Sequence, residues 1–191
     1  MTAAPAEPAQ ASRSVWSRTG RALGSVAVPF VTARLIVLGA LAFAHLVASR
    51  IHPASPGVAF RVHQGLLAWD AGFYESIARL GYQPLGHQAL RFFPLFPLTA
   101  RVLGWVLGVS DGAAVVVIAN LGALIGTALI VVLVRRETRD EGLARRSAWL
   151  FSLAPPAFVL VLGYAEGLLL VFTVACFLCL RPPAGRHPAW W

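Results

Sequence analysis

The sequence lacks lysine and has few charged residues of any kind. Only 13% of its 191 residues are charged and 58% are apolar, and the mean hydropathy is +0.70. Because an ordinary soluble domain has roughly 25% charged residues, this chain has too little polar surface to cover a water-soluble globule. The composition excludes a soluble cytosolic enzyme and a disordered acidic protein, and it predicts an all-α integral membrane protein.

All sixteen basic residues are Arg, and the formal net charge is +8. That charge would suit a nucleic acid, but the Arg residues lie in short clusters between apolar runs, which is typical of the positive-inside rule. We therefore expect no nucleic-acid partner. The sequence has two cysteines, Cys176 and Cys179, and both lie in an apolar run. Without a charged neighbour to lower a thiol pKa, they are interpreted as small buried hydrophobes and not as a redox pair.

Apolar runs divide the chain into segments. Residues 1–21 are polar and predict a disordered cytoplasmic tail, and the polar, proline-rich residues 181–191 form a second tail. Residues 22–180 predict a membrane domain, because they contain about four apolar runs that can serve as spans: 26–48, 113–134, 148–162 and 167–180. A cleavable signal peptide is the alternative for the first run, since Ala42-Phe43-Ala44 has the form of a cleavage site. Arg34 interrupts that run and is expected to snorkel, the alternative being a polar interior.

Charge placement predicts the topology. Residues 135–146 contain five Arg, so this segment and the N-terminal tail should both face the cytoplasm. Both do so only if residues 92–109 lie along the outer interface as a helix, or dip into the membrane and return, within an outer loop, 49–112. If residues 92–109 crossed the membrane, the N-terminal tail and residues 135–146 would lie on opposite sides of it. The preferred topology has four spans and places Asp70 and Glu166 on the same outer side.

One stretch of the outer loop has helical spacing. Trp69, Phe73, Ile77 and Leu80 fall on one side of a helix predicted over 69–80, and Gly81 is a plausible stop. Asp70 near its start is interpreted either as the N-cap or as a general base beside aromatic side chains. Partial desolvation would raise the pKa of such a base.

The other polar residues also have two interpretations. Glu166 lies in a turn between apolar helices, and it is either solvated or a second carboxylate of the same site. Two such carboxylates could hold a divalent metal or position a hydroxyl nucleophile. Glu75 and Arg79 have the spacing of a surface ion pair. Arg91 is expected to anchor to lipid phosphate or to bind a phosphate in the site.

Three motifs resemble, in the same order, those of the PIG-V-type mannosyltransferases, which are membrane glycosyltransferases of the GT-C class. The first runs from Trp69 to Tyr74 (WDAGFY), and the second is RFFPLFPL at 91–98. The third combines LF at 150–151 and PP at 155–156 with YAE at 164–166. The family usually has Ser or Thr where this chain has Ala165. Together the motifs cover roughly residues 65–175.

The resemblance implies a GT-C-like N-terminal part with inverting transfer of mannose, or a related hexose, from a polyprenyl-phosphate donor to an acceptor hydroxyl. The reaction would take place at the extracytoplasmic face of the plasma membrane. The implied catalytic residues are Asp70 as general base and Glu166 as accessory acid. Donor-phosphate or substrate binding is implied for Arg91, Trp69, Tyr74, Glu75 and Tyr164.

The lipid-linked sugar and membrane lipid are the implied partners. No cofactor is implied beyond a divalent metal that the two acids could hold. Because family members are about twice this length, we expect an N-terminal fragment that is inactive alone. The alternative is a non-catalytic subunit or scaffold of a split enzyme, with a partner chain supplying the missing spans.

Overall fold

Every regular element in the residues described by this computed structural model, 8–50 and 64–180, is helical. The all-α prediction is therefore confirmed for these residues. The predicted loop and tail residues at 1–7, 51–63 and 181–191 lie outside the described part. The α-helices are α1 (Pro8–Arg50), α2 (Asp70–Leu80), α3 (Leu95–Leu107), α4 (Asp111–Thr138), α5 (Glu141–Leu153) and α6 (Glu166–Leu180). The 3-10 segments are Gly65–Leu67, Gln83–Leu85, His87–Arg91 and Pro155–Leu160.

Within the part of the chain that the structure describes, two helices are long and apolar enough to cross a membrane. They are Gly24–Arg50, which is the larger part of α1, and Asp111–Thr138, which is α4. These helices contain the predicted spans 26–48 and 113–134. Much of the apolar surface of α1 is uncovered, and Leu35 and Phe43 are 66% and 67% exposed. Apolar surface of this extent is typical of a face that meets lipid or a partner.

The start of α1 differs from the sequence prediction. The helix begins at Pro8, so residues 8–21 are helical where the sequence predicts a disordered tail. Proline is tolerated in the first helical turn, where its missing N–H would have no intrahelical partner. Residues 9–21 include two Ala, one Gln and three Arg, which are favourable in helices. The tail prediction is therefore wrong for this stretch.

The segment before α6 also differs from its prediction as one span over 148–162. α5 begins earlier, at Glu141, because the Asp140 side chain accepts hydrogen bonds from the Gly142 and Leu143 amides at 2.7 and 3.0 Å. It ends at Leu153, and a 3-10 segment from Pro155 to Leu160 follows, because two successive prolines cannot continue an α-helix. α5 and α6 have 13 and 15 residues, whereas a helix needs roughly 20 to span a bilayer.

α6 runs parallel to α4. Gly167 at its start lies against Gly122, and near its end the Leu178 carbonyl accepts a hydrogen bond from Arg136 Nη1 at 3.2 Å. Gly122 lies about 16 Å along the axis from the start of α4, at 1.5 Å per residue. The turn before α6 therefore lies part of the way along α4, and the α5–α6 hairpin reaches that depth from the arginine-rich end.

The crossing of α4 and α6 depends on two glycines. A Cβ atom on Gly122 would lie 2.8 Å from the Gly167 carbonyl carbon, and one on Gly167 would collide with the Ala119 carbonyl oxygen. Larger side chains would push the helices apart. Cys176 lies on the opposite side of α6 from Gly167. Cys176 and Cys179 are both exposed, so the prediction that they are buried is wrong.

Arg34 turns inward, so the prediction that it snorkels is wrong. Its Nε donates to Asn120 Oδ1 at 2.9 Å and its Nη2 donates to the Leu160 carbonyl at 2.7 Å. The guanidinium carbon also lies 3.4 Å from the centroid of the Phe30 ring, which is a cation–π contact. Asn120 in turn donates to the Val161 carbonyl at 3.0 Å. Carbonyls at the end of a helical segment have no intrahelical donor. Arg34 and Asn120 supply donors from α1 and α4.

α3 occupies the part of the chain predicted as an interfacial helix, 92–109. Phe96, Ala100 and Gly104 are buried, whereas Val102 and Trp105 are 61% and 85% exposed. The helix has 13 residues, which is too short for a span. Its placement at the membrane interface stays a prediction.

Candidate functional site

The first side of the candidate site is the start of α2, where the backbone turns sharply. Trp69 has φ +55° and ψ −123°, a region that non-glycine residues rarely adopt at a cost of about 1–3 kcal/mol. The turn is held by hydrogen bonds from the Ala71 amide to the Ala68 carbonyl at 3.3 Å and from the Gly72 amide to the Trp69 carbonyl at 3.2 Å. Such strain is found preferentially at functional sites.

Asp70 is the first residue of α2 and is exposed. The cap position is Trp69, and no side-chain hydrogen bond caps this helix. The interpretation of Asp70 as the N-cap is therefore wrong, and its carboxylate is free for other interactions. The other end agrees with the sequence prediction, since Gly81 ends the helix with φ +79° and its amide donates to the Ile77 carbonyl.

The second motif packs onto α2 through aromatic rings. Phe92 stacks on Phe73 with the ring centroids 5.0 Å apart. The Tyr74 ring meets Phe92 and Phe96 edge-on, at 5.0 and 4.8 Å. The Tyr82 hydroxyl donates to the Phe92 carbonyl at 2.7 Å. The RFFPLFPL motif is therefore fixed against the helix that begins with Asp70.

The third motif meets the first on its other side. The Gly163 amide donates to the Leu66 carbonyl at 2.9 Å. Ala71, Leu162 and Tyr164 form a buried apolar cluster. The turn before α6 is thereby attached to the turn before α2. These contacts bring Asp70 and Glu166, which are far apart in sequence, into one site.

Two tyrosines, Tyr74 and Tyr164, lie near both carboxylates. Burial raises the pKa of Tyr74 to about 12, and the charges of Glu166 and Asp70 add to this effect. Burial also raises the pKa of Tyr164, with the same two carboxylates adding and a hydrogen bond from the Asp70 backbone opposing. Both hydroxyls therefore stay protonated at neutral pH and can donate hydrogen bonds.

Glu166 forms the rim of the site. Its side chain is exposed, but neighbouring apolar groups displace part of its water, and this desolvation raises the pKa of its carboxyl. The negative charge of Asp70 contributes in the same direction. A carboxylate with a raised pKa holds a proton more readily, as a group that shuttles protons must.

Two of the implied substrate-binding residues are not joined to these acids. Arg91 is exposed, and its Nε donates to the Gln88 carbonyl at 3.4 Å. Within the described residues, no hydrogen bond or ion pair connects it to Asp70 or Glu166. The Glu75 carboxylate lies against Gly112 at the start of α4. The predicted ion pair of Glu75 with Arg79 is not formed in this part of the structure.

Among the described residues, Asp70 and Glu166 are the candidate metal ligands at this site. Among residues 24–50 and 64–180, no group of three or more His, Cys, Asp or Glu side chains could hold a metal ion. The arrangement instead offers two carboxylates, two protonated hydroxyls and the half-exposed ring of Trp69. These groups can accept a proton from a hydroxyl and orient a polyhydroxylated substrate.

The sequence prediction missed Asn120, although a signal was present. It is the only side-chain amide in the predicted span 113–134, just as Arg34 is the only charge in 26–48. Polar residues within spans usually face the protein interior and pair with one another. Matching these two residues would have predicted their contact.

The described residues define an all-helical protein with two helices able to cross a membrane and a site with two carboxylates. Three chain segments that are far apart in sequence form this site. The chain matches no protein-family model, no curated protein and no solved structure.

Proposed function

We propose that the chain is the catalytic-loop part of a GT-C membrane glycosyltransferase. It would transfer mannose or a related hexose from a polyprenyl-phosphate donor to an acceptor hydroxyl on the extracytoplasmic face. The observation that carries the proposal is the meeting of Asp70 and Glu166 beside Tyr74 and Tyr164. Helix packing alone does not require that motifs at three separate places in the chain converge on two acids.

In the proposed reaction, Asp70 accepts the proton of the acceptor hydroxyl. The hydroxyl oxygen attacks the anomeric carbon, and the bond from that carbon to the phosphate oxygen breaks with its electron pair leaving on the phosphate. Attack from the face opposite the phosphate inverts the anomeric centre. Tyr74 and Tyr164 donate hydrogen bonds that orient the reactants, and Glu166 accepts one from a substrate hydroxyl.

Trp69 and Arg91 are placed suitably for the binding roles implied for them, whereas Glu75 has another explanation. The Trp69 ring is 50% exposed beside Asp70, which suits stacking against a sugar. The single long hydrogen bond of Arg91 leaves its guanidinium able to reach a donor phosphate. Glu75 is better explained by its place against the start of α4, where the helix dipole favours a negative charge.

The proposed topology places this site at the outer face of the plasma membrane. α1 and α4 would cross it in opposite directions, and α5 with Pro155–Leu160 and then α6 would be the third and fourth membrane segments. α3 would lie at the outer interface. The contacts of Arg34 with Asn120 and Leu160 favour an α1 that is retained over a cleaved leader, because cleavage would remove their donor.

Cysteine labelling tests this topology. Single cysteines at Asp70, Asp140 and Glu166 are introduced after Cys176 and Cys179 are replaced by Ser. A membrane-impermeant thiol reagent should label positions 70 and 166 from outside and position 140 only from inside. Labelling of 70 and 166 from opposite sides would contradict the shared site.

The activity test is turnover of polyprenyl-phosphate mannose by the reconstituted chain, purified together with any partner chain that supplies further membrane helices. Loss of a general base typically lowers turnover by about 10²–10⁴-fold, so Asp70→Asn should fall within that range. Asp111→Asn is the matched control, because Asp111 begins α4 and has no proposed role in transfer. Undiminished turnover by Asp70→Asn would refute the role assigned to Asp70.

A non-catalytic subunit or scaffold is the second candidate function. It is favoured by the uncovered apolar side chains of α1 and α6, such as Phe43 and Phe177, which are 67% and 55% exposed. Such faces suit helices of a partner chain as well as they suit lipid. This candidate predicts a stoichiometric membrane partner on purification, and turnover only when that partner is present and regardless of Asp70.

A further inference from the structure

A groove lies between the end of α5, the 3-10 segment Pro155–Leu160 and the start of α6. Its volume is about 430 Å³, within the range of about 300–1,000 Å³ that is usual for ligand sites. Apolar side chains line it, with one exception, the carboxylate of Glu166. Its lining includes Leu150, Phe151, Ala157, Leu160, Leu170 and Glu166.

The groove lies at the depth of the apolar part of α4. Leu170 packs on Gly126, and Gly167 beside Glu166 packs on Gly122. These two contacts lie about 16–23 Å along the axis of α4 from its start. In the proposed topology, Glu166 lies at the outer end of the groove, and the part of the groove at Leu170 lies deeper, beside the apolar middle of α4. An open apolar channel at that depth of a bilayer is filled by a hydrocarbon chain and not by water.

The charge at the groove selects the kind of lipid. Among the described residues that line it, Glu166 is the one with a charged side chain, so a phosphate head group placed there would meet a carboxylate. Arg34 touches the back wall through the Leu160 carbonyl, but its guanidinium is held by Asn120 and lies over the Phe30 ring. A hydroxyl head group, by contrast, can donate a hydrogen bond to Glu166 without an adverse charge.

We propose that this groove binds an uncharged, hydroxyl-bearing membrane lipid, with its hydrocarbon chain along the groove and its hydroxyl on the Glu166 carboxylate. The inference goes beyond the proposed transfer reaction, and it holds whether or not the chain transfers a sugar. Lipids with a phosphate head group and a partner helix are the other occupants that the test must distinguish.

The test uses two photoactivatable lipids with the same diazirine-bearing chain. One has a glycerol head group and the other a phosphate head group. After illumination of the reconstituted full chain, mass spectrometry maps the labelled residues. We expect the glycerol lipid to label Leu150, Phe151 and Leu170 about tenfold more than the phosphate lipid does, because like charges disfavour the latter. The glycerol lipid should also label these residues more than Leu35 and Phe43, which face outward on α1.

Variants separate the contributions of charge and of space. Glu166→Gln removes the charge and should raise labelling by the phosphate lipid to the level of the glycerol lipid. Glu141→Gln is the matched control, since Glu141 is an exposed carboxylate paired with Arg135, and the labelling ratio should not change. Ala157→Leu fills the groove and should reduce labelling by both lipids. Because that variant could misfold, the Glu166→Gln result decides the question of charge.

Three outcomes would overturn the proposal. The first is equal or stronger labelling of the groove by the phosphate lipid in the unmodified chain. The second is groove labelling no stronger than that of Leu35 and Phe43, which would indicate ordinary contact with bulk lipid. The third is protection of Leu150 and Leu170 from both lipids by a co-purifying helix, which would assign the groove to a protein partner.

Discussion

Replacing Asn120 with Leu should destabilise the protein well beyond the effect of a lost apolar contact. Asn120 accepts a hydrogen bond from Arg34 and donates one to the Val161 carbonyl. The substitution leaves a charged donor and a carbonyl without these partners inside the membrane domain. An unpaired buried polar group costs about 1–3 kcal/mol, and hydrogen bonds between membrane helices average about 0.6 and reach about 1.7 kcal/mol each. We therefore expect a loss of about 1–3 kcal/mol in the free energy of unfolding.

A double-mutant cycle isolates the contact. Arg34→Leu should also destabilise the protein, but the double variant with Asn120→Leu should lose less than the two single losses combined, because no charged group then remains unpaired. The expected coupling energy is about 1 kcal/mol or more. Leu121→Ala is the control, since Leu121 is 50% exposed on the same helix, and an exposed substitution should change stability by only about 0.5 kcal/mol.

Reversible unfolding in mixed micelles, followed by tryptophan fluorescence, provides the measurement. Hydrogen exchange at the Gly163 amide reports locally on this network. Gly163 lies two residues after Val161, and the Leu160 and Val161 carbonyls accept the hydrogen bonds of Arg34 and Asn120. Exchange there should become faster in Asn120→Leu. Single losses below about 0.5 kcal/mol, or strictly additive ones, would refute the reasoning that this network holds the turn in place.

Three further predictions concern individual side chains. Gly167→Ala should cost about 1–3 kcal/mol in unfolding free energy, because it overpacks the α4–α6 crossing. The control Gly39→Ala has open space around it and should be neutral or stabilising by up to about 1 kcal/mol. Equal effects of the two variants would refute the close crossing. Because the pKa of Glu166 is raised, its ionised form destabilises the folded state. Glu166→Gln should therefore be more stable than the parent above the ordinary glutamate pKa and equally stable below it, as measured by unfolding at a series of pH values. A less stable Glu166→Gln at neutral pH would contradict this sign. Tyr82→Phe removes the hydrogen bond to the Phe92 carbonyl and should cost about 0.5–1.5 kcal/mol, with faster hydrogen exchange over 83–93; unchanged exchange would argue against the contact.

The parts of the fold that repeat a simple pattern could be predicted from the sequence. The spacing of Trp69, Phe73 and Ile77 predicted α2 to within one residue, and Gly81 predicted its end because only a residue tolerant of positive φ fits there. The two long apolar helices in α1 and α4 were evident from the length of their apolar runs. Each of these features depends on residues that are neighbours in the sequence.

Features that depend on tertiary contacts could not be predicted in this way. Whether Arg34 snorkels or turns inward depends on whether another helix presents an acceptor, and Asn120 does so from far along the chain. Asp70 does not cap α2, because the cap position is Trp69, where the backbone is strained. The sequence does not indicate this strain. The depth of the α5–α6 turn follows from the contact of Gly122 with Gly167.

The central claim is that Asp70 and Glu166 belong to one site, and the titration of Glu166 tests it most directly. ¹³C-glutamate NMR of the reconstituted chain, with the resonance assigned by Glu166→Gln, gives the pKa of this carboxyl. In Asp70→Asn that pKa should be lower than in the parent, because a neighbouring negative charge has been removed. In the control Asp111→Asn it should not change. An unchanged pKa of Glu166 in correctly folded Asp70→Asn would contradict the shared site.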